Sequence, residues 1–454
     1  MTRPDRHRPL RVVFFNRSYY PDFGATGQLL TELCEDLVAR FGYEVTVVAG
    51  MPLSAEKSVE PVRWYAPVRR EERHGVRILR AWGTAHSTRT FTGRISNYLT
   101  YFMSAAVATF RIGRPDVIVA LTDPPIVSVA AIAAAKITGA RFVFLCQDIF
   151  PEVARLLEDF QNAQVEAILA RVGKYTVASA DRIIALGETM KRRLVETKAA
   201  DPGKIRVIHN WSDADAIQPA SKDNAFAREH GLVDKFVVMH SGNVGMSQDV
   251  DALLDVADRL RDLPHVIIAI VGEGARKKFL QAEADRRQLS NVRFFPYQPK
   301  ARLIDSFATA DVFIVSLKQG LAGFIVPSKL YGVLVAGRPF IAAIEEDSEP
   351  AQIAREHECG IVVQPGDRAG IEAAVRRLVG DPNLCQRLAR NARGAGVLYS
   401  RPHAIEAYRN VFEEITGGVL WTAMPFSNGL RRFPDRITPV SGVASDPFQE
   451  ESVR

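Results

Sequence analysis

Residues 236–260 read FVVMHSGNVGMSQDVDALLDVADRL: an apolar, β-branched run, then a turn holding Gly242, Asn243 and Gly245, then Val250, Leu253, Leu254 and Ala257 at helical spacing. Strand, glycine turn and helix in that order open a doubly wound α/β sheet. The unit begins near the middle of a 454-residue chain. A single core stops growing at roughly 250–300 residues, so it marks a second domain and not the extension of a first.

Upstream, short β-branched runs recur between longer helical patterns at Arg11–Phe15, Val45–Ala49, Val76–Leu79, Asp116–Leu121, Arg141–Cys146 and Arg182–Ala185. A second set runs through Phe236–His240, Val266–Val271, Val292–Phe295, Val312–Ser316, Pro339–Ala343 and Ile361–Val363. Continuous apolar strands alternating with helices are covered on both faces, which predicts two parallel sheets. The stretch Ile208–Leu232, rich in Asp, Asn, Pro and Ser, reads as the connection. The expected fold class is therefore α/β, with Rossmann-like domains over 9–208 and 234–396, a linker over 209–233 and a ligand cleft between the domains. A closing amphipathic helix is expected over 397–416, and the aperiodic stretch 417–454 reads as a poorly ordered tail.

Composition narrows the classes. With 58 Lys+Arg against 52 Asp+Glu, a net charge of +6 and 47% hydrophobic residues, the chain is globular and neither disordered nor fibrous. Cys34, Cys146, Cys359 and Cys385 lie far apart, which argues against a zinc site or a disulfide framework and for a reducing, cytoplasmic compartment. The basic start MTRPDRHRPL leads into an apolar run too short for a signal peptide. Ile95–Phe110, interrupted by five hydroxyl or amide residues, falls short of the roughly 20 apolar residues needed to span a bilayer. The positive surplus points to anionic partners such as phosphates or lipid head groups, and not to nucleic acid.

In doubly wound sheets the ligand lies beyond the carboxyl ends of the strands. After the first strand, Gly24 and Gly27 precede a helix; they either let a ligand approach the backbone or simply make a turn. QDIFPE puts Asp148 and Glu152 at the next polar strand end. Asp148 is solvated, caps a helix or works on a substrate hydroxyl, while Glu152 is either on the acceptor side or a first-turn helix residue. Gly242, Asn243 and Gly245 offer an amide-lined turn to a phosphate. Gly272, Glu273 and Arg276 follow the next strand, and Arg276 is placed to reach a phosphate or belongs to a solvated face. In KQGLAGFIVPSKLYGVLVAGRP, Lys318 and Ser328 flank the loop, and Lys329 sits in a first helical turn, where a cation is awkward unless a diphosphate lies there. The D-x-D pairs Asp249/Asp251 and Asp213/Asp215 read as helix start and linker, so no metal is expected.

Together these residues resemble glycosyltransferase family four, the retaining, nucleotide-sugar-dependent enzymes of GT-B architecture, from Leu10 to about Ile415. QDIFPE, KQGLAGFIV and PSKLYGVLVAGRP resemble the bacterial exopolysaccharide branch typified by the colanic-acid fucosyltransferases. The resemblance implies two facing domains, the acceptor mainly on the first and the sugar nucleotide mainly on the second, with the closing helix around Tyr408 crossing back to the first. It implies a UDP- or GDP-linked sugar as co-substrate, no cofactor and no metal. It places Gly24 and Gly27 near the donor phosphates and acceptor, Gly242, Asn243 and Gly245 in the donor cleft, Tyr297 and Gln298 on the base, and Lys329, with Ser328 and Tyr331 beside it, at the diphosphate. The pattern also departs from the family. The two glutamates of many members fall on Phe324 and Gly332, and the usual Arg and Lys after the glycine turn are replaced by Asn243 and Gln248.

The expected activity is transfer from a nucleoside-diphosphate sugar to a hydroxyl of a lipid-linked glycan, with Asp148 and Lys329 as the catalytic pair. A nucleotide-sugar epimerase or hydrolase and a non-catalytic two-domain anion sensor remain as alternatives. Contact with an anionic membrane surface is a separate expectation, carried by Tyr98, Tyr101, Phe102 and Met103 between Arg94 and Arg111, and by Lys191, Arg192 and Arg193. The alternatives there are a buried helix and a solvated face.

Overall fold

The computed structural model describes residues 8–22, 24–52, 60–86, 91–157, 162–299 and 302–417; the expected tail lies outside them. The first sheet holds β1 (Arg11–Phe15), β2 (Glu44–Ala49), β3 (Val68–Arg73), β4 (Val76–Ala81), β5 (Val117–Ala120), β6 (Arg141–Leu145), β7 (Arg182–Ala185) and β8 (Ile205–Val207), in the order β3-β4-β2-β1-β5-β6-β7-β8. The second holds β9 (Phe236–Ser241), β10 (Val266–Val271), β11 (Val292–Phe295), β12 (Val312–Ser316), β13 (Phe340–Ala343) and β14 (Gly360–Val363), in the order β11-β10-β9-β12-β13-β14. Every expected run forms a strand; the inner ones are apolar enough to be buried on both faces of their sheet, while β11 and β14, at the edges of the second sheet, are largely half-buried.

One expectation needs correction. The second sheet is parallel throughout, but the first has an antiparallel edge where β3 pairs with β4. The sequence of β3, VRREER, lacks the apolar run that marked the other strands. It pairs because His74 (φ 46°) and Gly75 (φ 77°) both take left-handed backbone, the two-residue turn that matches the twist of a hairpin.

In each sheet the first strand sits in the middle, and the chain winds first to one side and then to the other. The crevices beyond β1/β5 and β9/β12 are the switch points where such folds bind ligands. The Arg401–Thr416 helix follows the second sheet yet packs on the first lobe. Phe412 meets Phe14 at a ring separation of 6.3 Å, Tyr408 meets Trp211 at 6.0 Å, and Arg401 holds Asp36 at 2.7 and 2.9 Å.

Of the residues expected to face a membrane, Met103 is exposed, whereas Tyr101 and the basic cluster are engaged within the fold. Tyr101 is buried under the first sheet, with its hydroxyl donating to Val48 O at 2.9 Å. Arg192 pairs with Asp347 of the second lobe, Arg193 donates to Ala322 O at 3.2 Å, and Lys191 pairs with Glu188 at 3.3 Å. This basic cluster spends its charge largely on fastening the lobes together.

Candidate functional site

β9 ends in His240 and Ser241, and the turn that follows is locked to the turn after β10. Gly242 N donates to Val271 O at 2.9 Å, Val244 N to Glu273 O at 2.9 Å, and Arg276 N to Val244 O at 3.1 Å. The fit leaves no room for a side chain at Gly272, whose φ is +139° and where an added Cβ would stand 1.9 Å from Gly242 O. Gly272→Ala is therefore expected to cost at least about 2 kcal/mol, the scale of forced backbone strain. The readout is a lowered denaturation midpoint. An unchanged midpoint would show that the two turns have slack.

Lys329 opens the Lys329–Val335 helix and extends its side chain over this turn, its Nζ standing 3.8 Å from where a Cβ on Gly242 would be. The ammonium donates to Gln248 Oε1 and lies 3.3 and 3.5 Å from the two ring nitrogens of His240. Gln248 is itself fixed by Ser316 Oγ, which donates to its carbonyl. Burial depresses His240 well below the usual imidazole range, and the neighbouring Lys329 charge adds to this, so the ring is neutral. Burial alone pushes Lys329 down to about 7. No carboxylate among the described residues pairs with it. A half-buried ammonium held by neutral groups keeps its charge available to an anion.

Across the cleft, Asp148 follows β6. Its backbone pairs with Ile325 of the second lobe, and Ile149 N donates to Phe324 O at 3.0 Å. Lys329 is four positions after Ile325, so chain length alone keeps those two backbones within about 14 Å. Burial raises the Asp148 carboxyl to about 7, with the Asp123 charge adding to the effect. Asp123, after β5, is held by Arg17 at 2.9 and 3.2 Å. On the same rim Gly27 packs on Ser18, whose hydroxyl donates to Asp22 at 3.1 Å, and Gly24 caps the Ala25–Phe41 helix without a side-chain bond. Gln28 of that helix donates to Tyr297 OH at 3.3 Å, which bridges the lobes.

The structure does not bring every expected residue to the cleft. Tyr331 is fully buried in the second core, 5.7 Å from the Tyr399 ring, and offers no surface to a ligand. Arg276 pairs with Asp251 and stacks over Phe279, so its charge is already answered. Glu152 is locked to Lys198 at 2.7 and 2.9 Å, a structural ion pair and not an acceptor contact. Glu273 pairs with Lys277 at 2.7 Å, and Gln298 is buried with its amide donating to Pro296 O at 3.0 Å. Asn243 lies in the turn itself, while Lys318 and Ser328 remain half-buried on its rim. Among the described residues no cluster of three His, Cys, Asp or Glu is placed to hold a metal ion.

Sequence reasoning passed over His240, Asp123 and Glu345. His240 is a polar residue inside an apolar strand, and Asp123 obeys the same strand-end rule that singled out Asp148; both signals were present. Glu345 accepts from Gly320 N and Ala322 N at 3.1 Å each, shaping the loop that reaches Asp148, and no local pattern marks it.

Comparison with known proteins fits this geometry. Residues 24–211 match the family model described as glycosyl transferase 4-like domain, and residues 222–395 match glycosyl transferases group 1. The chain belongs to the glycosyltransferases. This glycosyltransferase is 26% identical over 386 residues to the putative colanic acid biosynthesis glycosyl transferase WcaI of Escherichia coli K12, covering 81% of this chain and 92% of that one. It is also 26% identical to the probable glycosyltransferase WbjE of Pseudomonas aeruginosa, over 66% of this chain and 74% of that one. Among solved structures, Anabaena HepE in complex with UDP superposes with a TM-score of 0.68 at 15% identity, covering 89% of this chain and 100% of that one. That likeness shows the fold, two α/β lobes of GT-B type.

Proposed function

We propose that this glycosyltransferase moves a sugar from a nucleoside-diphosphate sugar to a hydroxyl of a lipid-linked exopolysaccharide intermediate, retaining the anomeric configuration and using no metal. The observation that carries the reading is the Lys329 ammonium, held over the Gly242 turn by Gln248 and neutral His240 with no carboxylate among the described residues paired to it. As the bond between anomeric carbon and diphosphate breaks, negative charge gathers on the leaving oxygen. A preorganised cation in a half-dry site stabilises that charge more than the ground state. Asp148, poised near neutrality, accepts the proton of the acceptor hydroxyl. The UDP bound by HepE supports a uridine donor, with guanosine the alternative base, and the colanic acid biosynthesis in which WcaI is named supports an exopolysaccharide acceptor.

The test is a panel of UDP-, GDP- and dTDP-sugars, screened by thermal shift and then by NMR of products formed with a lipid-linked glycan extract. A donor at a hundred times its Kd stabilises the fold by about 2.7 kcal/mol. The expected product keeps the donor's anomeric configuration. An inverted linkage removes retention from the proposal. An epimer or free sugar formed without acceptor would replace transfer by epimerisation or hydrolysis, and binding with no product from any extract would leave an anion sensor.

A further inference from the structure

The loop 320–325 starts on the second lobe and ends against the first, and each end is fixed by different chemistry. On the second lobe, Glu345, two residues past β13, accepts from Gly320 N and Ala322 N at 3.1 Å each, both on Oε2. On the first lobe, Gly323 lies so close to the Glu188–Lys198 helix that an added Cβ would stand 2.7 Å from Thr189 Cγ2 and 2.9 Å from Thr189 O. Arg193 of that helix donates to Ala322 O at 3.2 Å and sets its guanidinium 5.2 Å from the centre of the Phe324 ring. Val326, next along the chain, is buried in the core of the first lobe. Between these anchors the backbone meets the QDIFPE segment: Ile325 bridges Asp148, and Phe324 O accepts from Ile149 N at 3.0 Å.

A segment with left-handed glycines at positions 320 (φ 86°) and 323 (φ 77°) has little stiffness of its own. Inside it Phe324 N and Ile325 N fold back on Leu321 O at 3.0 and 3.3 Å, while Gly320 N and Ala322 N converge on the one carboxylate oxygen. Hydrogen bonds to an ionised group are roughly twice as strong as neutral ones, so this carboxylate fixes where the loop starts and, through Ile325, where Asp148 stands. Lys329 follows Ile325 by four positions, so cation and carboxyl hang on one strap.

We propose that Glu345 is a positioning residue for Asp148: it holds a loop of the second lobe, and that loop holds the proton acceptor of the first lobe in register with Lys329. The role of Asp148 as acceptor rests on the proposed transfer; the mechanical coupling between the lobes does not. Asp148 itself reports the coupling. The groups facing its carboxyl are Asp123 after β5 and, in the cavity behind it, Cys146 and Lys198, the latter paired with Glu152. None of these belongs to the second lobe, so a loosened loop leaves them in place and admits water, which lowers the carboxyl from about 7 toward the usual carboxylate range.

The experiment compares the full chain with Glu345→Ala and Glu345→Gln by hydrogen–deuterium exchange, donor calorimetry and kinetics against pH. In Glu345→Ala, exchange is expected to rise about tenfold in segment 317–326 and, across the cleft, in segment 146–150, which carries Asp148. The kcat should fall by about ten- to a hundredfold, the cost of a misplaced reacting group, while donor affinity holds, because Lys329 is held by Gln248 and His240 and not by the loop. The acid limb of kcat/KM should move to lower pH. Glu345→Gln keeps an acceptor oxygen for the two amides and should restore most of the protection, the rate and the limb. Faster exchange confined to 317–326 with the acid limb unmoved overturns the proposal, and so does a Glu345→Gln chain as impaired as Glu345→Ala in all three readouts. Coupled exchange across the cleft in a chain that transfers no sugar from any donor would uphold the coupling and overturn the transfer reading instead.

Discussion

Lys329→Ala is expected to lower turnover about a hundredfold, the scale of removing one charge partner from a developing anion in a preorganised site. The loss should fall on kcat as much as on kcat/KM, because the diphosphate carries more charge on its leaving oxygen in the transition state than in the bound donor. The residue also predicts a pH dependence whose sign is fixed. In the free enzyme burial holds the lysine at about 7, so its protonated fraction falls as pH rises through neutrality. The kcat/KM profile should decline on the alkaline side from about that pH. A bound diphosphate restores a partner to the ammonium, so the corresponding limb of kcat should lie higher. Lys329→Arg, always charged, should keep part of the rate and shift the alkaline limb of kcat/KM upward. Steady-state kinetics against pH for the three proteins checks this, and a Lys329→Ala enzyme with wild-type rates removes the residue from the mechanism.

Replacing Asp148 by Asn should suppress transfer by at least about a hundredfold, the lower range for a positioned proton acceptor, while donor binding stays intact. Stability separates this role from a structural one. The carboxyl is raised from 3.8 to about 7 by burial, so the folded protein keeps the proton while the unfolded chain gives it up, and stability is lost as pH rises between those values. The amide cannot ionise and escapes that loss. At pH 8 the variant should denature at the same temperature as the wild type or higher. A lowered midpoint with donor binding and transfer lost in proportion would make Asp148 a packing residue. On the acid side the wild-type kcat/KM should fall below about 7, because the carboxyl must be ionised to take a proton, and together with Lys329 this gives a bell centred near neutrality.

The chain announces much of this architecture. Twelve strands are legible because parallel strands buried on both faces must be apolar throughout, and glycine turns and strand-end polar residues then point to the loops that line the crevice. Two more escape detection: β3, because an edge strand held by a hairpin turn tolerates Arg and Glu, and β8, because three residues are too short a run to stand out. Lys329 is visible as a cation in a helical first turn, although the Lys329–Val335 helix is too short to carry much of a dipole. Its unusual ionisation comes instead from burial above His240.

The order of residues in this protein thus determined two wound sheets, the crevice between them and a short list of polar groups on its rim, since periodicity and turn chemistry are local properties. Only the tertiary structure decided which of those groups stay available. Arg276 is neutralised by Asp251, twenty-five residues away, Glu152 by Lys198, forty-six away, and Tyr331 is enclosed by the second core, whereas Lys329 is left with an imidazole and an amide for neighbours. Charge and exposure are fixed by what folding brings alongside, and that information lies in no single stretch of the chain.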